Sequence, residues 1–164
     1  MEWLANYWDS YGELLLEGTW DSVVMTGISV FFAYVVGIPL GVLVVLTAKG
    51  GLHPHRALNA VLSWVINIGR SIPFIILMFA IIPFTRMIVG TSLGVPGAVV
   101  PLTVTAIPFV ARMVEQSLAG VDPSLVEAGQ SFGANTWQIV YKVYLRESLP
   151  SLIRGAAITF VTLF

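Results

Sequence analysis

Charged residues are spaced along the chain so that three long apolar stretches lie between them. From Ser22 to Ala48 no residue is charged, which exceeds the roughly 20 residues needed to cross the hydrocarbon of a bilayer. Ala57 to Thr85 is apolar with Arg70 as its one charged interruption, and Met87 to Ala111 again carries no charge. These stretches predict membrane spans at 21–48, 58–85 and 87–112. A last apolar run, Gly155 to Phe164, gives only roughly 15 Å of helix, about half a bilayer. A fourth span is therefore expected to begin at 151 and to be cut short, leaving the bundle incomplete at its C-terminal end.

Composition supports the same reading. Hydrophobic residues make up 57% of the 164 and charged residues 10%, where a soluble domain carries roughly 25% charged. Mean hydropathy is +0.87. So few charges cannot coat a soluble fold of this size, and the expected class is an all-α polytopic transmembrane bundle. The net charge of −1 and the scattered basic residues argue against nucleic-acid binding. With no cysteine, disulfides, thiol catalysis and cysteine-ligated metal are excluded.

Lysine and arginine set the expected orientation. The first 21 residues have none, the loop after the first span has Lys49 and Arg56, the next has Arg86 alone, and the segment after the third has Arg112, Lys142, Arg146 and Arg154. The alternation predicts an outside N-terminus, with the 48–57 loop and the 112–154 segment cytoplasmic. Residues 1–20 interleave Trp3, Tyr7, Trp8, Tyr11, Leu14, Leu15, Leu16 and Trp20 with acids. That pattern predicts an interfacial amphipathic segment, and its acidity rules out a signal peptide.

The cytoplasmic stretch 120–149 carries its own helix signals. Asp122-Pro123 is an N-cap followed by proline at the first helical position. Gly133 is suited to a C′ residue, and Asn135 with Gln138 fits a capping box. Leu149-Pro150 is expected to close the second helix. Two short helices hinged at Gly133-Ala134 would form a knob off the bilayer. Trp137, Val140, Tyr141 and Tyr144 recur at helical spacing and predict an apolar-aromatic face that must be covered by membrane, other loops or a partner.

Glu127-Ala128-Gly129, then Gly133, then Val143 and Leu145, resemble the EAA loop of ATP-binding cassette importer permeases. Gly129 stands where that motif has alanine, and Arg146 where proline commonly follows the leucine. Arg70-Ser71-Ile72-Pro73-Phe74, Ile82-Pro83-Phe84-Thr85-Arg86, Ile88-Val89-Gly90-Thr91-Ser92 and Pro101-Leu102-Thr103-Val104 complete a resemblance to the methionine-uptake permeases of such importers, running from about Thr19 onward. Permeases for polar amino acids typically carry Arg-Gly-Thr-Pro where this protein has Arg70 to Pro73.

The resemblance implies a five-helix inner-membrane subunit with its N-terminus outside. It implies a permease homodimer, an ATPase subunit dimer and an extracytoplasmic methionine-binding lipoprotein as partners, besides membrane lipid. Glu127, Ala128, Gly133, Ala134 and Trp137 would then couple the permease to the ATPase. Arg70, Ser71 and Pro73 are the candidate pathway or bundle-interior residues, since an arginine at mid-membrane costs roughly 2.5–3.5 kcal/mol unless it faces a polar path, snorkels or meets freed carbonyls.

Other residues add less. Met78, Phe79, Met87, Phe109 and Met113 could line a path for a thioether, although in a sequence this apolar they equally suit core or lipid. His53 and His55 lack the further ligands a metal needs. Gly37 and Gly41 make a small-x3-small pair for close helix packing. Nucleotide chemistry is excluded on this protein, because neither Lys49 nor Lys142 follows a glycine as a phosphate-binding loop requires. ATP and magnesium would therefore sit on the partner ATPase, with no cofactor here. The expected function is a methionine permease subunit and not an enzyme. The alternatives are the same machine carrying another amino acid or small solute and, less favoured by the lack of acids in the spans, an ATPase-independent secondary transporter.

Overall fold

The structure, a computed structural model, describes the backbone from Glu2 and the side chains from Tyr11 to Phe164. Among the described residues the secondary structure is helical throughout: α1 (Glu2–Thr47), α2 (Arg56–Ser71), α3 (Phe74–Ala80), α4 (Ile82–Val89), α5 (Gly94–Ala119), α6 (Pro123–Ser131), α7 (Thr136–Ile139), a π-helical segment (Val140–Tyr144) and α8 (Leu145–Leu163). Helix is what an apolar solvent demands, because each backbone N–H then finds a carbonyl within its own segment.

α1 is unbroken over 46 residues, about 69 Å at 1.5 Å per residue. It contains both the predicted interfacial segment and the first predicted span, with no break between them. Trp3, Tyr7 and Trp8 lie outside the described side chains. Tyr11, Leu14, Leu15, Leu16 and Trp20 are exposed.

α1 and α5 form the axis of the bundle and run parallel. Ser29 Oγ is 3.3 Å from the carbonyl of Val99, and further along Gly37 and Gly41 meet Val110, Ala111 and Val114. A Cβ on Gly41 would lie 2.7 Å from both the Ala111 carbonyl and Val114, so only glycine permits this approach. The small-x3-small pair is spent on packing within the subunit. Ala33, Ala106, Val110, Val114 and Leu118 fill the seam and are almost fully buried.

α8 returns antiparallel to both. Its Gly155 sits against Met113 and Tyr34, and Ser117 Oγ meets Ser151 Oγ at 2.9 Å. α2 packs on the other side, where Asn59 Nδ2 donates to the carbonyl of Val44 at 2.8 Å and Gly69 abuts Pro108. Large apolar residues such as Phe31, Phe32, Trp64, Val65, Ile75 and Phe79 point outward, as a lipid-facing surface requires.

The stretch predicted as the 58–85 span is not one continuous helix. α2 and α3 meet at 101°. Pro73 has no N–H to continue the ladder and its ring clashes with the preceding turn, while Ile72 before it is extended at φ −80, ψ 122, as a residue preceding proline prefers. A second break at Ile81 separates α3 from α4. α5 runs seven residues past Arg112 to Ala119, beyond the predicted limit of 112.

Candidate functional site: the knob and the α2–α3 bend

Two places gather the singled-out residues. The first is the knob at the end of the bundle where α1 and α5 finish and α2 and α8 begin. Asp122 caps α6 by accepting from the backbone N–H of Ser124 at 2.9 Å, with Pro123 in the first turn. That backbone hydrogen bond, with a second from the Ser124 hydroxyl, holds the Asp122 carboxyl below the usual carboxylate range. α6 ends in a Schellman motif. Gly133, at φ +76, donates to the Gln130 carbonyl at 2.9 Å, and Ala134 reaches back to the Gly129 carbonyl at 3.0 Å. Asn135 and Gln138 then exchange side-chain-to-backbone bonds of 2.9 Å each, a complete capping box. The predicted turn chemistry is therefore present residue by residue.

The rest of the knob differs from expectation in two respects. Pro150 does not close the second helix: α7, the π segment and α8 are continuous from Thr136 to Leu163. Pro150 removes one N–H from the ladder, a loss a helix tolerates once where packing holds both sides. The aromatic stripe also splits. Val140 and Tyr144 turn inward with Ile139, while Trp137 is 82% and Tyr141 74% exposed. The wide turn of Val140–Tyr144 shifts the angular register, so positions that share a face in an α-helix separate here. Burial pushes the Tyr144 phenol up.

Glu127 and Ala128 lie exposed on α6, Gly133 is exposed at the hinge, Ala134 is half-buried beneath it and Trp137 projects from α7. The knob thus presents Glu127, Ala128, Phe132 and Trp137 outward. Ile139, Val140 and Tyr144 tie it to Leu118 and Leu152 of the bundle. Gly129 faces inward, and a Cβ there would rest 3.6 Å from Ile139 and 3.9 Å from Val143, ordinary contact distances.

Sequence reasoning missed how the loop after α1 joins this knob. His53 Nε2 lies 2.7 Å from Thr136 Oγ1, and Lys49, Gly51 and Leu52 share a cleft of about 370 Å³ with Val126, Glu127, Gln130 and Tyr144. No local signal pairs residues 83 apart. Their shared predicted side of the membrane was the one available hint. Also missed is a partly exposed polar brace on the bundle, where Arg112 bonds Glu115 and Asn67 at 2.6 Å each, linking α5 to α2.

The second place is the α2–α3 bend. Arg70 lies in the last turn of α2, Ser71 Oγ is turned back to the Asn67 carbonyl at 2.8 Å, and Pro73 caps α3. A cleft of about 440 Å³ opens beside them, lined also by Phe74, Leu102, Thr105, Phe109 and Thr162. Arg70 lines it and Ser71 and Pro73 do not. Of the residues considered for a thioether path, Phe109 reaches this cleft. Met78 lines a separate small pocket near Thr85 and Gly97, Met113 packs on Tyr34, and Phe79 and Met87 face outward.

Residues 37–164 match the family described as the binding-protein-dependent transport system inner membrane component. The chain belongs to that family. It is a multi-pass inner-membrane transport component and not an enzyme. It is 51% identical over 150 residues to the D-methionine transport system permease protein MetI of Yersinia pestis, covering 92% of this chain and 69% of that one. It is 48% identical to the probable D-methionine permease MetI of Vibrio cholerae, covering 98% and 71% respectively. A structure of the MetNI methionine ABC transporter in inward-facing conformations superposes with a TM-score of 0.92 at 49% identity, over 94% of this chain and 71% of that one. An amino acid ABC transporter with histidines, 20% identical with a TM-score of 0.58 over 91% of this chain and 70% of that one, shares the fold. The all-α polytopic expectation and the family resemblance are both borne out.

Proposed function

We propose that this protein forms half of a dimeric translocation pathway for methionine of either hand, driven by a separate ATPase. The observation that carries the reading is the knob. It is a rigidly capped helix pair bearing the Glu127-Ala128 motif and the Gly133 hinge, with Trp137 exposed at its surface and its inner face locked to the bundle. A surface built in this way can receive a push and pass it to α5 and α8. Its likeness to permeases named for D-methionine supports the cargo.

In this reading Glu127, Ala128, Gly133, Ala134 and Trp137 dock into the ATPase dimer, which holds ATP and magnesium. ATPase closure brings the two knobs of the permease homodimer together. Because the knob shares its core with α5 and α8, that motion reorients the spans and exposes the pathway alternately to either side. An extracytoplasmic lipoprotein delivers methionine to the face opposite the knob, and the N-terminus of α1 lies outside. Arg70 belongs to the pathway wall, and Ser71 and Pro73 form the bend that opens it.

The test is methionine uptake in a bacterial strain lacking its own methionine permeases. The strain is supplied with the complete permease gene together with its ATPase and binding protein. Energy-dependent uptake of labelled methionine, lost on Gly133→Val, is the expected result. Uptake that is absent, or that persists without the ATPase, overturns the reading.

A further inference from the structure

The cleft at the α2–α3 bend has the chemistry of a zwitterion site. Arg70 is its one charged lining residue, and no carboxylate lies among the others. Among the described residues Arg70 makes no ion pair, the one salt bridge being Arg112 to Glu115. It cannot be drawn away along a continuing helix, because Pro73 ends α2 at Ser71 and turns the backbone through 101°. The C-terminal dipole of α2 favours a cation at this point, and among the described residues no side-chain hydrogen bond or ion pair engages the Arg70 guanidinium, whose fork matches a carboxylate in bidentate fashion.

The two hydroxyls in the cleft complement this cation. Thr105 Oγ1 donates to the Pro101 carbonyl at 2.9 Å, and Thr162 Oγ1 donates to the Ile158 carbonyl at 2.8 Å. Each has spent its proton on its own helix, so what it offers the cleft is an acceptor lone pair. An acceptor pair suits an ammonium and is useless to a carboxylate. The remaining walls, Phe74, Leu102 and Phe109, are apolar. A volume of about 440 Å³ falls in the range of roughly 300–1,000 Å³ typical of small-molecule sites.

We infer that this cleft is a station for a free amino acid with an apolar side chain in transit. Arg70 takes the carboxylate, Thr105 and Thr162 accept from the ammonium, and Phe74, Leu102 and Phe109 pack on the apolar part of the cargo. For a thioether cargo the two rings add favourable sulfur contacts. The inference rests on the amino-acid importer reading above and adds a cargo site to it.

The experiment uses the complete permease assembled with its ATPase in detergent, without the external binding protein. A cysteine is introduced by Leu102→Cys, and its alkylation rate is measured with L-methionine or with 3-methylthiopropylamine, which lacks the carboxylate. Millimolar methionine is expected to slow alkylation about fivefold and the amine less than twofold. Arg70→Gln should abolish the protection, and Arg70→Lys should keep part of it. Equal protection by methionine and the amine, or full protection in Arg70→Gln, overturns the inference. If Arg70→Gln fails to assemble, the ligand comparison on Leu102→Cys alone decides it. Should methionine give no protection while the wild-type complex with its binding protein still imports methionine, the cleft assignment falls and the importer reading stands. If the wild-type complex imports none, both fall.

Discussion

The knob and the α2–α3 bend are both built around a proline and a glycine, but they are held in different ways. In the knob the helix ends and the turn between them are set by local contacts. Asp122, Gly133, Asn135 and Gln138 each satisfy backbone groups within six residues. At the bend the proline only interrupts the helix. The direction in which the backbone leaves, and the side on which Arg70 ends up, depend on Gly69 seating against Pro108 of α5 and on the Asn67–Arg112 brace one turn earlier. A locally stabilised element can be moved as a unit, which suits a coupling part. A site shared between helices changes shape when they shift, which suits a pathway.

That contrast is broken most severely at the α1–α5 crossing. Gly41→Val should force the two helices apart and cost about 1–3 kcal/mol or more, so that little folded complex is recovered in detergent and bend and knob are lost together. Thermal unfolding followed by size-exclusion chromatography measures it. Recovery at wild-type levels would mean that the close approach is not what seats α5.

Gly133→Ala comes next. Nothing lies within 4 Å of a Cβ there, but the backbone is at φ +76, where an L-residue costs roughly 1–2 kcal/mol. The expected result is a well-assembled complex whose ATPase rate no longer responds to the binding protein. Loss of assembly instead would show that the knob is needed for folding. Asn135→Ala should act in the same direction and less strongly, at about 1 kcal/mol, through loss of the capping box. Faster amide exchange confined to Thr136–Ile139 is its signature.

The smallest effects sharpen the contrast between the two regions. Gly129→Ala should stabilise the knob by about 0.5–1 kcal/mol, because the site is helical and the added methyl finds ordinary contacts with Ile139 and Val143. Its readout is slower exchange in α6 with the bundle unchanged. Acidification should weaken the Asp122 cap. Its carboxyl is held below the usual carboxylate range in the folded protein. Its contribution is therefore full above the unfolded carboxylate pKa and is lost as pH falls through the lower folded value. Asp122→Asn, which keeps a capping oxygen without the titration, should remove that pH dependence of exchange in α6.

Hydrophobic and charged patterning were enough to indicate a polytopic helical protein. The local signals were enough to place α6, its Schellman end and the capping box. Each of these rests on interactions within a few residues or on the solvent the segment prefers, and such interactions are written directly into neighbouring residues. The motif around Glu127 and Gly133 was legible for the same reason.

Three features were decided only by the tertiary structure. The stripe from Trp137 to Tyr144 divides because packing against Leu118 and Leu152 is met by a π turn, and an α-helical spacing rule cannot foresee one. Pro150 stays inside a helix because its neighbours on both sides are anchored: Ser148 is buried and bonded to the Tyr144 carbonyl at 2.6 Å, and Leu152 lies in the core. Arg70 came out of the sequence as one charge in an apolar run, with several readings open. It took the approach of α5 and α8 to set two spent hydroxyls and the Phe109 ring around it, beside the nearby Phe74. Most of those partners come from residues some 30 to 90 positions away, and pairings at that range follow from how helices pack.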